Sequence, residues 1–367
     1  MTESRIAWWR PEMDEAELFR VRAVLASNYV NDGDVTEQFA AAVAKLVGAR
    51  YGVAVTSGTS AIYLSLVALG VGAGDEVIVP DVTFIATANA VTMAGATPVL
   101  VDVDPRTLNM SIPAMEVAFT ARTRAVVPVH VSGRAAEMEN IVRICRERGA
   151  AVVEDAAEAF CSKYKGRSLG TFGKTGCFSF SPNKTITTGQ GGVIVTDDEQ
   201  IFQRLHELKD QGRPVRGTGG DDIHPTVGFN FKLTNLQAAV GMGQLEKLPG
   251  RLARIRLTYS IYKRELGKVP GIQLLPFDIA GGEQPQWVDA LAEDRDELDA
   301  YLRGNAVDCR RFWFPLHTQK PYLQPPDSFP NATELCKKAI WLPSAFQMSD
   351  EDVTTVCHLI REFYLAR

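Results

Sequence analysis

Between residues 51 and 196 the chain alternates between two hydrophobic rhythms. Short, near-continuous apolar runs rich in β-branched residues occur at 52–55, 76–79, 98–103, 125–131, 150–153, 177–181 and 192–196. Segments of helical period separate several of them, at 61–69, 86–94 and 135–148. Strands apolar on both faces, alternating with helices, predict an α/β fold with a mostly parallel seven-stranded sheet covered on both sides. Ligands of such sheets sit at the carboxyl ends of the strands.

Beyond residue 196 the pattern changes. Residues 198–211 read as an amphipathic helix with Ile201, Leu205 and Leu208 on one face, followed by a glycine-rich loop, GRPVRGTGGDDIHP. Residues 233–266 read as a long helical region interrupted at Pro249-Gly250. Short strands at 272–275 and 286–290, further helices and proline-rich turns complete the chain. The expected division is an N-terminal arm and large domain over 1–245 and a smaller C-terminal α+β domain over 246–367.

Composition narrows the function classes. At 367 residues the chain exceeds what one compact core normally holds. Its 46% hydrophobic and 23% charged residues are those of a soluble globular protein. A net charge of −5 offers no basic footprint for nucleic acid. No apolar run is long enough to span a membrane. The opening MTESRIAWWRPEMDEAELF places charges where a signal peptide needs its apolar core, so a cytoplasmic location is expected. Cys145, Cys161, Cys177, Cys309, Cys336 and Cys357 lack metal-ligand spacing and read as reduced thiols, with no metal site.

The chemistry concentrates around Lys184, the only charged residue in TGCFSFSPNKTITTGQGGVIVT. Solvated loops collect charges, so a lone lysine between two apolar strands predicts a desolvated amine. Desolvation makes the neutral, nucleophilic form accessible, as Schiff-base chemistry requires. Glu154-Asp155 ends the strand of AAVVEDAAEAF. A carboxylate there must be partnered, either structurally or by a protonated heterocyclic nitrogen. Thr56-Ser57-Gly58-Thr59-Ser60 leads from a strand into a helix, which is anion-binding chemistry. Ser179 stands near enough in sequence to add a hydroxyl, and Phe84 follows the next strand as a ring available for stacking.

Together the segments SGTSAIYLSLVALGVGAGDEVIVPDVTFIATANA, VVEDAAEA, FSFSPNKTITTGQGG and GFNFKLTNLQAA resemble the DegT/DnrJ/StrS family of fold-type I, pyridoxal phosphate-dependent sugar aminotransferases. The perosamine-synthase branch, which aminates a GDP-4-keto-6-deoxy sugar, is the nearest in look. The resemblance implies that Lys184 carries the cofactor as a Schiff base and that Asp155 contacts its ring nitrogen. Phe84 would stack on the ring, with Glu158 nearby. Gly58, Thr59, Ser60 and Ser179 would hold the phosphate. Asn230 would reach the phosphate from a neighbouring subunit, which implies a homodimer with shared active sites. The reaction implied is transfer of an amino group from an amino acid, L-glutamate, to a keto sugar, with pyridoxamine phosphate as the amino-carrying form.

Departures from the family pattern bear on the substrate. GQGG, with Gln190, replaces the usual GEGG, and Phe314 stands where relatives often carry a polar residue or histidine. His130, Arg213, Arg310, Phe314 and His317 are the expected substrate contacts, and Lys209 and Arg216 are further basic groups for a diphosphate or carboxylate. Other readings are an aminotransferase for a keto-cyclitol or other non-nucleotide sugar, a dehydratase, and a non-catalytic sugar-nucleotide-binding partner. Lys184 argues against the dehydratase branch, which carries histidine there. A nicotinamide enzyme needs a G-x-G-x-x-G turn, which SGTSAIYL lacks.

Overall fold

The apolar runs of the N-terminal half form one sheet. In the computed structural model, which describes residues 5–214 and 222–365, its strands are β1 (Tyr51–Val55), β2 (Glu76–Pro80), β3 (Thr97–Val101), β4 (Thr123–Val126), β5 (Ala151–Asp155), β8 (Thr175–Ser179) and β9 (Gly192–Thr196). A small hairpin, β6 (Lys163–Tyr164) and β7 (Arg167–Ser168), lies between β5 and β8. The order is β1-β9-β8-β5-β4-β2-β3. Only β9 runs against its neighbours, pairing antiparallel with both β1 and β8. The expected mostly parallel seven-stranded sheet is therefore present.

Helices cover the sheet on both faces: α2 (Asp34–Val47), α3 (Gly58–Ala68), α4 (Ala86–Met93), α5 (Ile112–Ala118), α6 (Met138–Arg148) and α7 (Glu199–Lys209), while α1 (Glu15–Ser27) precedes them in the chain. Local chemistry fixes their starts. Ser57 caps α3 by accepting the Ser60 N–H, and Asp198 caps α7 by accepting from Gln200 and Ile201. Strand alternation divides the apolar residues between two cores, Val77 and Val79 facing one and Ile78 the other.

The interruption expected at Pro249-Gly250 does not occur. α8 (Asn235–Leu266) runs unbroken through Pro249. Proline removes one backbone donor, but Leu248 and Arg251 on either side are buried and hold the helix in place. Ala238 and Leu248 pack in the core of the large sheet, whereas Ile255, Tyr259, Tyr262 and Leu266 pack in that of a second sheet. That sheet contains β10 (Ile272–Leu274), β11 (Val288–Ala292), β12 (Arg310–Arg311) and β13 (Ala339–Leu342), in the order β10-β11-β13-β12. All its pairings are antiparallel. With α9 (Arg295–Gly304), α10 (Pro330–Lys338) and α11 (Asp350–Leu365) it makes the α+β unit expected of the C-terminal region.

Two connections tie this unit to the large sheet. Arg134, after β4, makes a fully buried bidentate pair with Asp289 of β11, both contacts 2.7 Å. The N-terminal segment joins the C-terminal unit through the Ile6–Val307 bridge, between α9 and β12, and the Ser344 N–H donates to Trp8 O.

Candidate active site

The carboxyl ends of β1, β2, β5 and β8 converge on a cavity of about 320 Å³. Asp155 closes β5 at its floor, and Lys184 enters from the loop between β8 and β9. Gly58 and Thr59, at the start of α3, and Ser179, at the end of β8, line it. Gly58 is required there: a Cβ would lie 2.9 Å from Ser179 Cβ.

Strand alternation separates the two acids at the end of β5. Glu154 turns away from the cavity and accepts the N–H groups of Gly170, Phe172 and Gly173 at 2.8, 2.5 and 2.7 Å. Asp155 faces the cavity. It accepts the Thr87 hydroxyl at 2.7 Å and the Ala157 N–H at 3.2 Å. Thr87 in turn is bonded to the Thr83 hydroxyl at 2.9 Å. Burial pushes the Asp155 carboxyl above its usual range, opposed by the Thr87 and Ala157 donors and by the charge of Lys184.

The Lys184 side chain is 11% exposed. Its ammonium donates to Glu158 at 3.2 Å and lies 4.9 Å from the Trp287 ring centroid. The loop is charge-free in sequence, but the fold supplies Glu158 from the turn after β5. Glu158 accepts a second bond from the Ser132 N–H at 2.9 Å. Burial raises its pKa, and Lys184 is the principal opposing influence.

The peptides flanking Lys184 are held from the small sheet. The Gln286 carboxamide accepts the Thr185 N–H at 3.1 Å and hydroxyl at 2.7 Å, and donates to Asn183 O at 3.3 Å. Trp341 Nε1 donates to Ser132 Oγ at 3.1 Å, linking β13 to the turn that holds Glu158. Trp9 reaches the same loop, its Nε1 donating to Pro182 O at 3.1 Å. Arg310 lines the cavity with its guanidinium over the rings of Trp8 and Trp341.

Lys184, Asp155, Glu158, Gly58, Thr59, Phe84, Ser179 and Arg310 thus share one cavity, as does Gln190. Other expected residues lie elsewhere. Ser60 is buried with its hydroxyl bonded to Thr56 and Ser57 at 2.9 and 2.8 Å. His130 has no exposure. The Ala136 N–H donates to its Nδ1, which leaves Nε2–H to donate to Glu154 at 3.1 Å. His317 is bound to Asp81 at 2.6 Å and stacked on Phe329. Both histidines are core residues, which corrects the expectation that they orient substrate. Lys209 is buried against Asp32 at 3.2 Å, and Arg213 pairs with Asp222 at 2.9 Å, both outside the cavity. Phe314 and Asn230 are exposed and do not line it. Arg216 lies outside the described residues.

Thr87, Ser132, Gln286, Trp287 and Trp313 carry no signal in sequence that separates them from core residues. Thr87 sits one residue into a helix whose start is otherwise unremarked, Ser132 lies in the turn after β4, and the others flank strands of the second sheet.

The cavity fits pyridoxal phosphate. Asp155 is a buried acid with no ion pair among the described residues. Lys184 stands beside it, and the N-terminus of α3 offers an anion cradle in which a side chain at Gly58 would collide with Ser179. When bound, the cofactor supplies the electron sink that a carbanion at an amino-acid Cα needs.

Comparison with known proteins agrees. The chain is 37% identical over 361 residues to the GDP-perosamine synthase of Escherichia coli O157:H7, covering 97% of this chain and 98% of that one. It is 35% identical to the GDP-perosamine synthase of Caulobacter vibrioides, covering 96% of each. The structure of S. venezuelae DesV in complex with a ketimine intermediate superposes with a TM-score of 0.90, at 31% identity over 97% of this chain and 99% of that one. The DegT/DnrJ/EryC1/StrS aminotransferase family matches residues 11–361, and the chain belongs to that family of pyridoxal phosphate-dependent enzymes.

Proposed function

We propose that this aminotransferase moves the amino group of L-glutamate to the keto carbon of a nucleotide-linked 4-keto-6-deoxy sugar. The observation that carries the reading is the convergence of Lys184, Glu158 and Asp155 in one cavity opposite the start of α3. The two GDP-perosamine synthases that match nearly the whole chain supply the substrate class.

In this reading Asp155 holds the proton on the ring nitrogen, and its bond from Thr87 keeps the carboxylate aimed. Gly58, Thr59 and Ser179 receive the phosphate, and Phe84 covers the ring. Lys184 Nζ takes the proton from the donor Cα and, in the second half of the reaction, returns one to the sugar carbon. Glu158 positions that amine between the two. Trp287 and Trp313 wall the cavity and exclude water. Asn230, exposed and outside the cavity of its own chain, supports a contribution to a partner's site in a homodimer. The reading places the enzyme in the cytoplasm and divides the chain near residue 245, midway along α8.

The test is a substrate panel with the pyridoxal phosphate-loaded enzyme and L-glutamate as donor. A GDP-linked 4-keto-6-deoxyhexose, the unlinked keto sugar and a keto-inositol are the acceptors, and mass spectrometry detects the amine. An amino sugar nucleotide together with 2-oxoglutarate is expected. Amination of the keto-inositol alone would overturn the assignment.

A further inference from the structure

Arg251, in α8, is 4% exposed, and its guanidinium grips two separate stretches of backbone. One terminal nitrogen donates to Thr185 O at 3.0 Å, beside Lys184, and the other donates to Glu12 O at 3.0 Å, in the segment that precedes α1. Gln244, earlier on α8, repeats the arrangement. Its carboxamide accepts the Thr187 N–H at 3.3 Å and donates to Glu12 O at 2.7 Å. A buried cation is costly, and neutral carbonyls offset little of that cost. What a guanidinium offers over a neutral side chain is a rigid fork of donors that holds two acceptors at once.

The segment gripped in this way is the N-terminal arm. Residues 5–12 form no helix and are anchored outward. The Ile6 N–H donates to Ala306 O and Ile6 O accepts the Asp308 N–H, both at 2.9 Å, and Trp8 O accepts the Ser344 N–H at 2.9 Å. The arm brings two of the chain's five tryptophans to the cavity wall. Trp8 packs 5.5 Å from Trp287, the ring over which the Lys184 ammonium lies. Trp9 stands edge-on to Phe346 at 4.8 Å and to Trp287 at 6.3 Å. Packed so, its Nε1–H has a fixed direction and donates to Pro182 O at 3.1 Å. Proline has no N–H of its own, so that carbonyl is the handle by which the chain is held just before Lys184.

The arm therefore meets the lysine loop on both sides of Lys184: at Pro182 through Trp9, and at Thr185 and Thr187 through Arg251 and Gln244. An amine at the end of a four-carbon stem captures an aldehyde at a rate set by how well its Cα is placed. We propose that the N-terminal arm is a working part of the active site, a strap that positions Lys184 for covalent capture of the cofactor, with Trp9 and Arg251 as its positioning residues. The step is a condensation of the Lys184 amine with the cofactor aldehyde, which releases one water and changes no oxidation state. This rests on the reading of Lys184 as the Schiff-base lysine.

The experiment compares the binding of two forms of the cofactor to the cofactor-free protein. Pyridoxal phosphate forms the bond to Lys184, whereas pyridoxamine phosphate, which has no aldehyde, fills the same cavity without it. Trp9→Phe keeps a ring against Phe346 and Trp287 and removes one donor. In that variant affinity for pyridoxal phosphate falls about threefold to tenfold, while affinity for pyridoxamine phosphate stays within about twofold of wild type. Arg251→Met releases both stretches of backbone, and the loss is about tenfold or more with the same selectivity. Trp8→Phe is the matched control. Its Nε1–H has no partner among the described residues, and the ratio of the two affinities stays within about twofold of wild type. Amide hydrogen exchange of the cofactor-free protein gives a second readout: residues 181–188 exchange faster in Trp9→Phe than in wild type or Trp8→Phe. Equal weakening of the two cofactor forms, or unaltered exchange over 181–188, would overturn the proposal, and Trp9→Phe carries the test if Arg251→Met does not fold. A wild-type protein in which borohydride fixes pyridoxal phosphate to another lysine would instead count against the Schiff-base reading.

Discussion

Thr87→Val removes a single hydroxyl and keeps the side-chain volume. That hydroxyl donates to Asp155 Oδ2 at 2.7 Å in a fully buried setting. A hydrogen bond to a charged acceptor contributes roughly 1.5–3 kcal/mol. Because the donor favours the carboxylate over the carboxylic acid, its loss raises the Asp155 pKa. This adds to the rise that burial already imposes. The assay is cofactor affinity against pH. Asp155 must be ionised to face a protonated ring nitrogen, so affinity declines as pH falls below the pKa of the cofactor-free protein. In Thr87→Val that break moves to higher pH, with little change in affinity well above it. The Thr83 hydroxyl loses its partner as well, so the cofactor-free variant is less stable by about 1–3 kcal/mol. An unmoved break, or one displaced to lower pH, would refute the argument.

Three further outcomes follow from other contacts. Gln286→Leu removes three hydrogen bonds from the peptides around Lys184; it should cost roughly 2–4 kcal/mol in chemical denaturation and lower kcat more than it weakens cofactor binding. Arg134→Met strands the buried Asp289 carboxylate and should destabilise the protein by about 3–5 kcal/mol, whereas a loss within that of a surface pair would contradict the burial. Asp155 has a raised pKa in the folded, cofactor-free protein, so folding favours its protonated form. Its contribution to stability is therefore most favourable below the ordinary carboxylate value of about 3.9 and is lost as pH rises through the raised folded value. The stability of cofactor-free Asp155→Asn minus that of wild type should accordingly increase with pH across that interval and level off above it, and a difference that falls with pH would reverse the assignment.

The sheet was legible because parallel strands buried on both faces read as unbroken apolar runs, and six of the seven appear within two residues of their expected bounds, while β4 ends at Val126 rather than at 131. Lys184 and Asp155 were legible for a related reason: each is a charge placed against apolar sequence, and such placements are expensive without a purpose. His130 and His317 were expected to contact substrate, but both lie in the core: Glu154 and the Ala136 N–H satisfy the ring nitrogens of His130, and Asp81 binds His317. Gln286, Trp287 and Trp341 could not be read because they act across roughly a hundred residues or more of sequence, through a second sheet whose short strands carry little pattern. Glu158 shows the limit most plainly. The loop around Lys184 has no other charge, and only the fold reveals that its counter-ion comes from the turn after β5.

The central claim is that Lys184 is the residue that binds the cofactor covalently. Purified protein loaded with pyridoxal phosphate, reduced with borohydride, digested and mapped by mass spectrometry tests it without reference to any substrate. A phosphopyridoxyl group on the peptide containing Lys184, absent from a Lys184→Ala variant that keeps its fold, is the predicted result. A stoichiometric label on another lysine, with Lys184 unmodified, would contradict it.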